Sequence, residues 1–314
     1  MIEYSVLIYV SLTMRRIRHT MQNYMNLWAK TVKTGIIKSN LVPMIAALML
    51  ALYTYELSFV EHIPHILFAF IGTALIIGAA GSFNNLYDRD IDAIMQRTKS
   101  RPTVTGELNS KNVLIVGFVI LIAGLIALYL TTPLAAFLGF LGVFFYVVPY
   151  TMWTKRKTIW NTEVGSISGA MPPLIGWAAV APDIWHPAAW ALFIIMVIWQ
   201  MPHFYAIAIR KRDDYGAANI PMLPVIKGMR RTYIQTNIYL ILLMFTSLLF
   251  VPLSLGLMCA SLVLGGIWLW ISFVGYRQMD EKKWANRMFA YSLIYMTAVF
   301  ATVIIYASVG IFLQ

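Results

Sequence analysis

The chain has 314 residues, 60% of them apolar and 12% charged, with a mean hydropathy of +0.72. That composition excludes a soluble globular domain and identifies a polytopic membrane protein. The formal net charge of +11 would suit nucleic acid, but the cations lie between apolar runs, and the single cysteine, Cys259, excludes a disulfide framework or a cysteine-based metal site.

Residues 1–35 are expected to be a cytoplasmic N-terminal segment, either an interfacial helix or disordered. The apolar run Tyr4 to Met14 would be about 16 Å long as a helix, too short for a hydrocarbon core of about 30 Å. Arg15, Arg16, Arg18 and His19 follow it without a clean small-residue cleavage site. This favours an interfacial helix, or a start at Met14, Met21 or Met25, over a signal peptide.

Residues 36–314 hold nine apolar segments long enough to span, at 36–55, 66–87, 112–131, 133–153, 164–181, 188–209, 233–253, 255–275 and 288–313. The connections after the odd-numbered segments are short and carry no lysine or arginine. Of the 24 lysines and arginines, all but Lys38, at the N-terminal edge of segment one, lie in the N-terminal segment or in the connections after segments two, four, six and eight. By the positive-inside rule the N-terminus is cytoplasmic and the C-terminus outside. The fold class is therefore all-α, a bundle of nine transmembrane helices.

Segment two ends in Asn84-Asn85-Leu86-Tyr87-Asp88-Arg89-Asp90-Ile91-Asp92. On a continuing helix Asn84, Asp88 and Asp92 drift by only about 80° in total and climb about 12 Å, so they share one face. That row is too long for one Mg²⁺ at about 2.1 Å from every ligand. It suits a longer anion such as a diphosphate, with divalent cations between it and the carboxylates. The bland alternative is a charged helix end solvated at the headgroups, but carboxylates at a membrane edge are functional candidates by default.

The connection that follows contains Arg97, Lys99 and Arg101, able to neutralise non-bridging phosphate oxygens. Ordinary positive-inside bias would also place cations there. A second rich connection, Arg210 to Arg231, carries the adjacent pair Asp213 and Asp214 on the same membrane face, which points to a two-part site; a surface salt-bridge cluster is the plainer reading. Its glycines and prolines (Gly216, Pro221, Pro224, Gly228) are those of a lid hinging between ordered segments.

Segment five, with Gly165-Ser166-Ile167-Ser168-Gly169-Ala170, allows close helix approach and is broken by Met171-Pro172-Pro173. Segment six contains Trp199-Gln200-Met201-Pro202-His203-Phe204-Tyr205, where the proline kinks the helix and Gln200 and His203 need partners inside the bundle. His203 has three readings open: an iron ligand, a proton shuttle, or a hydrogen-bonded packing residue. Broken and kinked helices at membrane depth are tolerated where they wall a cavity.

The Asn84-x-x-x-Asp88-x-x-x-Asp92 row resembles the first aspartate-rich motif of the UbiA superfamily of intramembrane aromatic prenyltransferases. Arg97-Thr98, Arg101-Pro102-Thr103-Val104-Thr105-Gly106, Tyr150 to Arg156, Asn161 with the segment-five block, Trp199 to Phe204, Asp214-Tyr215 and Ile220-Pro221-Met222-Leu223-Pro224 are similar to its protohaem IX farnesyltransferase branch. The likeness covers roughly residues 30 to 300. It implies a helical bundle with a central cavity capped by cytoplasmic loops, in a bacterial plasma membrane. It implies farnesyl diphosphate and haem B as substrates, haem O and diphosphate as products, Mg²⁺ as divalent cofactor, and a haem A synthase as downstream partner. On this resemblance the catalytic residues are Asn84, Asp88, Asp92 and Asp214, and the metal ligands are Asn84, Asp88, Asp92, Asp213 and Asp214. Arg97, Lys99, Arg101, Lys155, Arg156, Gln200, His203 and Tyr205 would bind substrate. One departure stands out. Many superfamily members carry a second aspartate row at helical spacing near segment six, whereas Asp213 and Asp214 are adjacent and cannot share one helix face.

Two other functions compete. A UbiA-type enzyme could act on a quinone precursor such as 4-hydroxybenzoate or dihydroxynaphthoate, against which the segment-six and Ile220–Pro224 blocks argue. An ion-coupled transporter would show repeat symmetry and a midplane site. Here the carboxylates lie at one edge, and the segment count is odd.

Overall fold

A computed structural model describes residues 21–181, 183–278 and 280–313. The expectations for residues 1–20 lie outside the described residues. Residues 21–31 are helical (α1) and end at Lys33, whose left-handed backbone (φ 58°) turns the chain into the bundle.

Among the described residues, eight helices are long and apolar enough to cross a membrane. They are α2 (Thr34–Thr54), α3 (Ile63–Tyr87), α6 (Ser110–Tyr129), α7 (Pro133–Phe145, continued by a π-helical stretch to Thr154), α10 (Pro187–Arg210), α13 (Gly228–Thr246, continued to Phe250), α14 (Leu255–Gln278) and α15 (Glu281–Leu313). Short helices α4 (Arg89–Ile94), α5 (Pro102–Thr105), α11 (Arg212–Ala217) and α12 (Leu223–Ile226) lie in the two long charged connections. Helix starts follow local chemistry. Asn109 and Thr132 cap α6 and α7 by accepting from Lys111 N and Ala135 N, and Pro64, Pro133 and Pro187 occupy first-turn positions where no N–H is needed.

The fifth expected segment is broken where Met171-Pro172-Pro173 predicted, into α8 (Asn161–Gly169) and α9 (Met171–Ala178), neither long enough to span alone, so the described residues hold eight spanning helices where nine were expected. Pro172 and Pro173 have no N–H to donate back to the preceding turn, so one helix stops at Ala170 and another begins. The pair still carries the chain from one end of the bundle to the other. At the α8 end Asn161 Nδ2 donates to Pro221 O, in the second charged connection. Beyond α9, Trp177 Nε1 and the Tyr55 hydroxyl both donate to Asp183 O. Tyr55 follows the end of α2 opposite Lys33.

Helix association in a bilayer rests on close packing, because lipid is as apolar as leucine. α2 and α9 show it: a Cβ on Gly176 would lie 2.1 Å from Met44 O, so only glycine lets the two backbones approach. α2 is buried in the centre of the bundle, where Met44, Ala46, Ala47, Leu50, Ala51 and Leu52 are fully enclosed. α6 sits at the periphery and exposes Leu114, Phe118, Ile122 and Ile126, one stripe at four-residue spacing that suits lipid.

Candidate functional site

The site grows from the last turn of α3. Asp88 N donates to Asn84 O at 2.9 Å and Asp92 N to Asp88 O at 2.8 Å, so the i→i−4 ladder runs through the junction into α4. Asn84, Asp88 and Asp92 therefore share a face, and all three are buried, at 3%, 0% and 1% exposure. Asn84 Nδ2 donates to Asp88 Oδ2 at 2.7 Å and to Thr151 Oγ1 at 3.0 Å.

Four cations from three parts of the chain close on this row. Lys33 donates to Asn84 Oδ1, Lys155 pairs with Asp88, and Arg101 pairs with Asp92. Arg156 lies 3.5 Å from Asp88 Oδ1 and forms a two-pronged pair with Asp90, at 2.6 and 2.7 Å. The Arg156 guanidinium holds the Asp90 carboxyl below its ordinary range, and Asp90 in turn raises that of Arg156. Burial, then the nearby Arg101 and Lys155, push the Lys33 ammonium well below the usual lysine range. A cation so placed gains by meeting an anion.

Beneath this ring lies a cavity of about 420 Å³. Lys33, Asn84, Asp92, Arg97, Arg101 and Lys155 line its charged end, Tyr146 and Tyr150 its wall, and Met196, Trp199, His203, Phe204 and Met296 its apolar part. The arrangement can hold a polyanion at the mouth and a long apolar group below it.

Donor chemistry tests whether a divalent cation fits. Among the described residues no three His, Cys, Asp or Glu side chains converge into a ready-made metal site. Mg²⁺, however, is commonly held by one or two carboxylates plus substrate phosphates and water. Asn84, Asp88 and Asp92 supply hard oxygens in a row, and buried Asp88 Oδ1 accepts no hydrogen bond. The residues fit a cation that arrives with its phosphate oxygens, and do not fit a closed protein-only site.

Other expected site residues divide. Gln200 lines the cavity, donating from Nε2 to Ser166 O and Met196 O at 3.1 and 2.9 Å. His203 also lines it, stacked between Trp199 and Phe289 with ring centroids 4.7 and 5.1 Å away. Its Nδ1 lies 2.7 Å from Ser292 Oγ, and the Ser292 hydroxyl donates to Phe289 O, so the histidine is held by hydrogen bond and packing.

Tyr205 stands apart from the others: its hydroxyl donates to Glu163, and it is not among the cavity-lining residues. Lys99 and Asp213 are exposed and stand outside the cavity lining. Asp214 does not join the metal row. Its Oδ1 accepts from Gln96 N at 3.1 Å, tying α11 to the turn that carries Arg97, while the neighbouring Tyr215 lines the cavity. Sequence reading missed Lys33 as a site residue, along with Thr151, Tyr146 and Glu163. Lys33 stands in the sequence only as one of several cations before the first span, with no spacing that ties it to Asn84.

The chain matches the family described as "UbiA prenyltransferase family" over residues 40–294. It is 64% identical over 284 residues to protoheme IX farnesyltransferase 1 of Bacillus cytotoxicus, covering 90% of this chain and 93% of that one. It is 62% identical over 284 residues to protoheme IX farnesyltransferase 2 of Lysinibacillus sphaericus, covering 90% of each. A UbiA homologue from Archaeoglobus fulgidus, solved bound to GPP and Mg²⁺, superposes with a TM-score of 0.65 at 13% identity, covering 88% of this chain and 99% of that one. That likeness is one of fold.

Proposed function

The chain belongs to the UbiA prenyltransferase family, and from that premise we propose that it transfers the farnesyl group of farnesyl diphosphate to a vinyl group of haem B. Water completes the side chain, giving haem O and diphosphate. The observation that carries this reading is the row Asn84, Asp88 and Asp92, ringed by cations at the mouth of an apolar cavity. The relatives named above, more than half identical to this chain, support the choice of haem and farnesyl over a quinone precursor.

Lys33, Arg97, Arg101 and Lys155 bind the non-bridging oxygens of the diphosphate and stabilise the charge that grows on it as the C1–O bond breaks. Mg²⁺, held by Asn84, Asp88 and Asp92 together with diphosphate oxygens, would neutralise further charge on the leaving group. The ring faces of Tyr146 and Tyr150, on the wall beside the charged end, stabilise positive charge on the allylic carbon. The vinyl π-electrons form the new carbon–carbon bond to C1. Water then adds to the vinyl carbon attached to the porphyrin and releases one proton. Until that step the apolar walls keep bulk water out. Asp214 assists from outside the row, by holding α11 against the turn that carries Arg97.

The charged end faces the cytoplasm of a bacterial cell, with the N-terminus inside and the C-terminus outside, since every lysine and arginine lies in the stretch up to Lys38 or in an even-numbered connection. Purified protein incubated with haem B, farnesyl diphosphate and Mg²⁺ should yield haem O by mass, and a chelator should stop it. Unchanged haem alongside prenylated 4-hydroxybenzoate or dihydroxynaphthoate would replace this reading with the quinone branch.

A further inference from the structure

Glu163 is a buried-side carboxylate that the reaction as described does not use. It sits in the first turn of α8, whose Asn161, Thr162, Gly165 and Gly169 line the cavity. At about 100° per residue, Glu163 points to the other side of that helix, where it meets two further helices. Its Oε1 accepts from the Tyr205 hydroxyl on α10, and from Gln235 Nε2 at 3.0 Å and the Tyr239 hydroxyl at 3.3 Å, both on α13. Gln235 Nε2 also donates to the Tyr205 hydroxyl at 2.9 Å. Oε2 is enclosed with no hydrogen-bond partner, and no cation pairs with this carboxylate among the described residues. A carboxylate oxygen enclosed with neither a cation nor a donor beside it is costly.

What the tie controls is the part of α10 that faces the cavity. Pro202 removes one backbone hydrogen bond from α10 and so loosens the helix at that point. On one side of the proline, Gln200 is seated against α8: its Nε2 donates to Ser166 O, and a Cβ on Gly169 would lie 2.2 Å from its Oε1. On the other side, Tyr205 is fully buried and bonded to Glu163. Between these two anchors stand His203 and Phe204, which line the apolar part of the cavity.

The geometry points to Glu163 as a positioning residue that, through Tyr205, sets the rotation of α10 beyond Pro202 and so shapes the acceptor's part of the cavity. The cation-ringed row, held by α3, α4 and the loop cations, lies outside its reach. The inference rests on the proposed haem prenylation for the acceptor and for its place beside His203 and Phe204, and on geometry for the tie from Glu163 to α10. A displacement of about 1 Å in a reacting group can cost about a hundredfold in rate.

Tyr205→Phe and Glu163→Ala should each raise half-saturation by haem about ten- to hundredfold and increase the share of farnesyl diphosphate lost to farnesol. Affinity for farnesyl diphosphate, measured by calorimetry with Mg²⁺, should stay unchanged. Glu163→Gln keeps one accepting oxygen and should fall between wild type and Glu163→Ala, with the pH profile of transfer unaltered. Should Glu163→Ala fail to fold, Tyr205→Phe decides alone, since it deletes a single oxygen. Wild-type kinetics in Tyr205→Phe, an equal loss of affinity for both substrates, or a displaced pH profile in Glu163→Gln would each overturn the assignment. If the wild-type protein prenylates another acceptor, the haem reading fails, and the same split measured with that acceptor still tests Glu163.

Discussion

Lys155 and Asp88, 67 residues apart in the chain, form an ion pair in which the carboxylate is fully buried and the lysine side chain is 13% exposed. The pair joins the end of α3 to the end of the π-helical stretch after α7. Pro149 lies inside that stretch, where Lys155 N donates back five residues to Tyr150 O. The wider turn brings Thr151 onto Asn84 and Lys155 onto Asp88 together. The π-helix is thus a positioning device for two of the row's contacts.

Asp88→Asn preserves shape while removing the charge that holds Lys155, and it weakens the hard-oxygen row. Turnover should drop by about a hundredfold or more, while haem binding followed by its absorption spectrum persists. Loss of haem binding with normal diphosphate affinity would assign the row to the other substrate. Asp92→Asn, which loosens Arg101 instead, should behave alike.

Arg101 bridges Asp92 and the cavity mouth. Arg101→Ala should raise KM for farnesyl diphosphate more than KM for haem. An equal rise in both would mean that the loop from Arg97 to Gly106 has collapsed.

Asp214 meets Gln96 N, so its removal should free α11 from the Arg97 turn and open the mouth to water. Asp214→Ala is expected to lower haem O formation and raise the proportion of farnesol. A parallel fall in both products would instead place Asp214 in ionisation of the C1–O bond.

Cysteines introduced near Lys155 and Lys282, at the exposed positions 157 and 282, after replacement of the exposed Cys259, should react with a membrane-impermeant thiol reagent from the same side. Labelling from opposite sides would break the charge-based orientation, and with it the cytoplasmic placement of the site.

Gly176→Ala places a methyl 2.1 Å from Met44 O, a backbone atom that cannot turn aside. α9 must then back away from α2, at a cost of about 1–3 kcal/mol or more. The melting temperature in detergent should fall well below wild type. An unchanged value would show that the two short helices α8 and α9 are loosely seated.

How much of this was legible in the sequence depends on the range of the interaction. Hydropathy located eight spanning helices and the apolar fifth segment, because twenty apolar residues are required whatever their neighbours are. The four-residue spacing of Asn84, Asp88 and Asp92 predicted a shared face, because that face follows from helical pitch alone. The likeness to prenyltransferases came from motifs spread along the chain. Tertiary structure decided what those motifs touch. It bonded Tyr205 to Glu163 and Asp214 to Gln96, and brought Lys33 to Asn84 across 51 positions. The break in the fifth segment, by contrast, was local: Pro172 and Pro173 announced it in the sequence. Periodicity along one helix records which residues share a side, but not which helix will face that side. Partner choice is set by how whole helices pack, and by where buried donors must find acceptors once water is excluded.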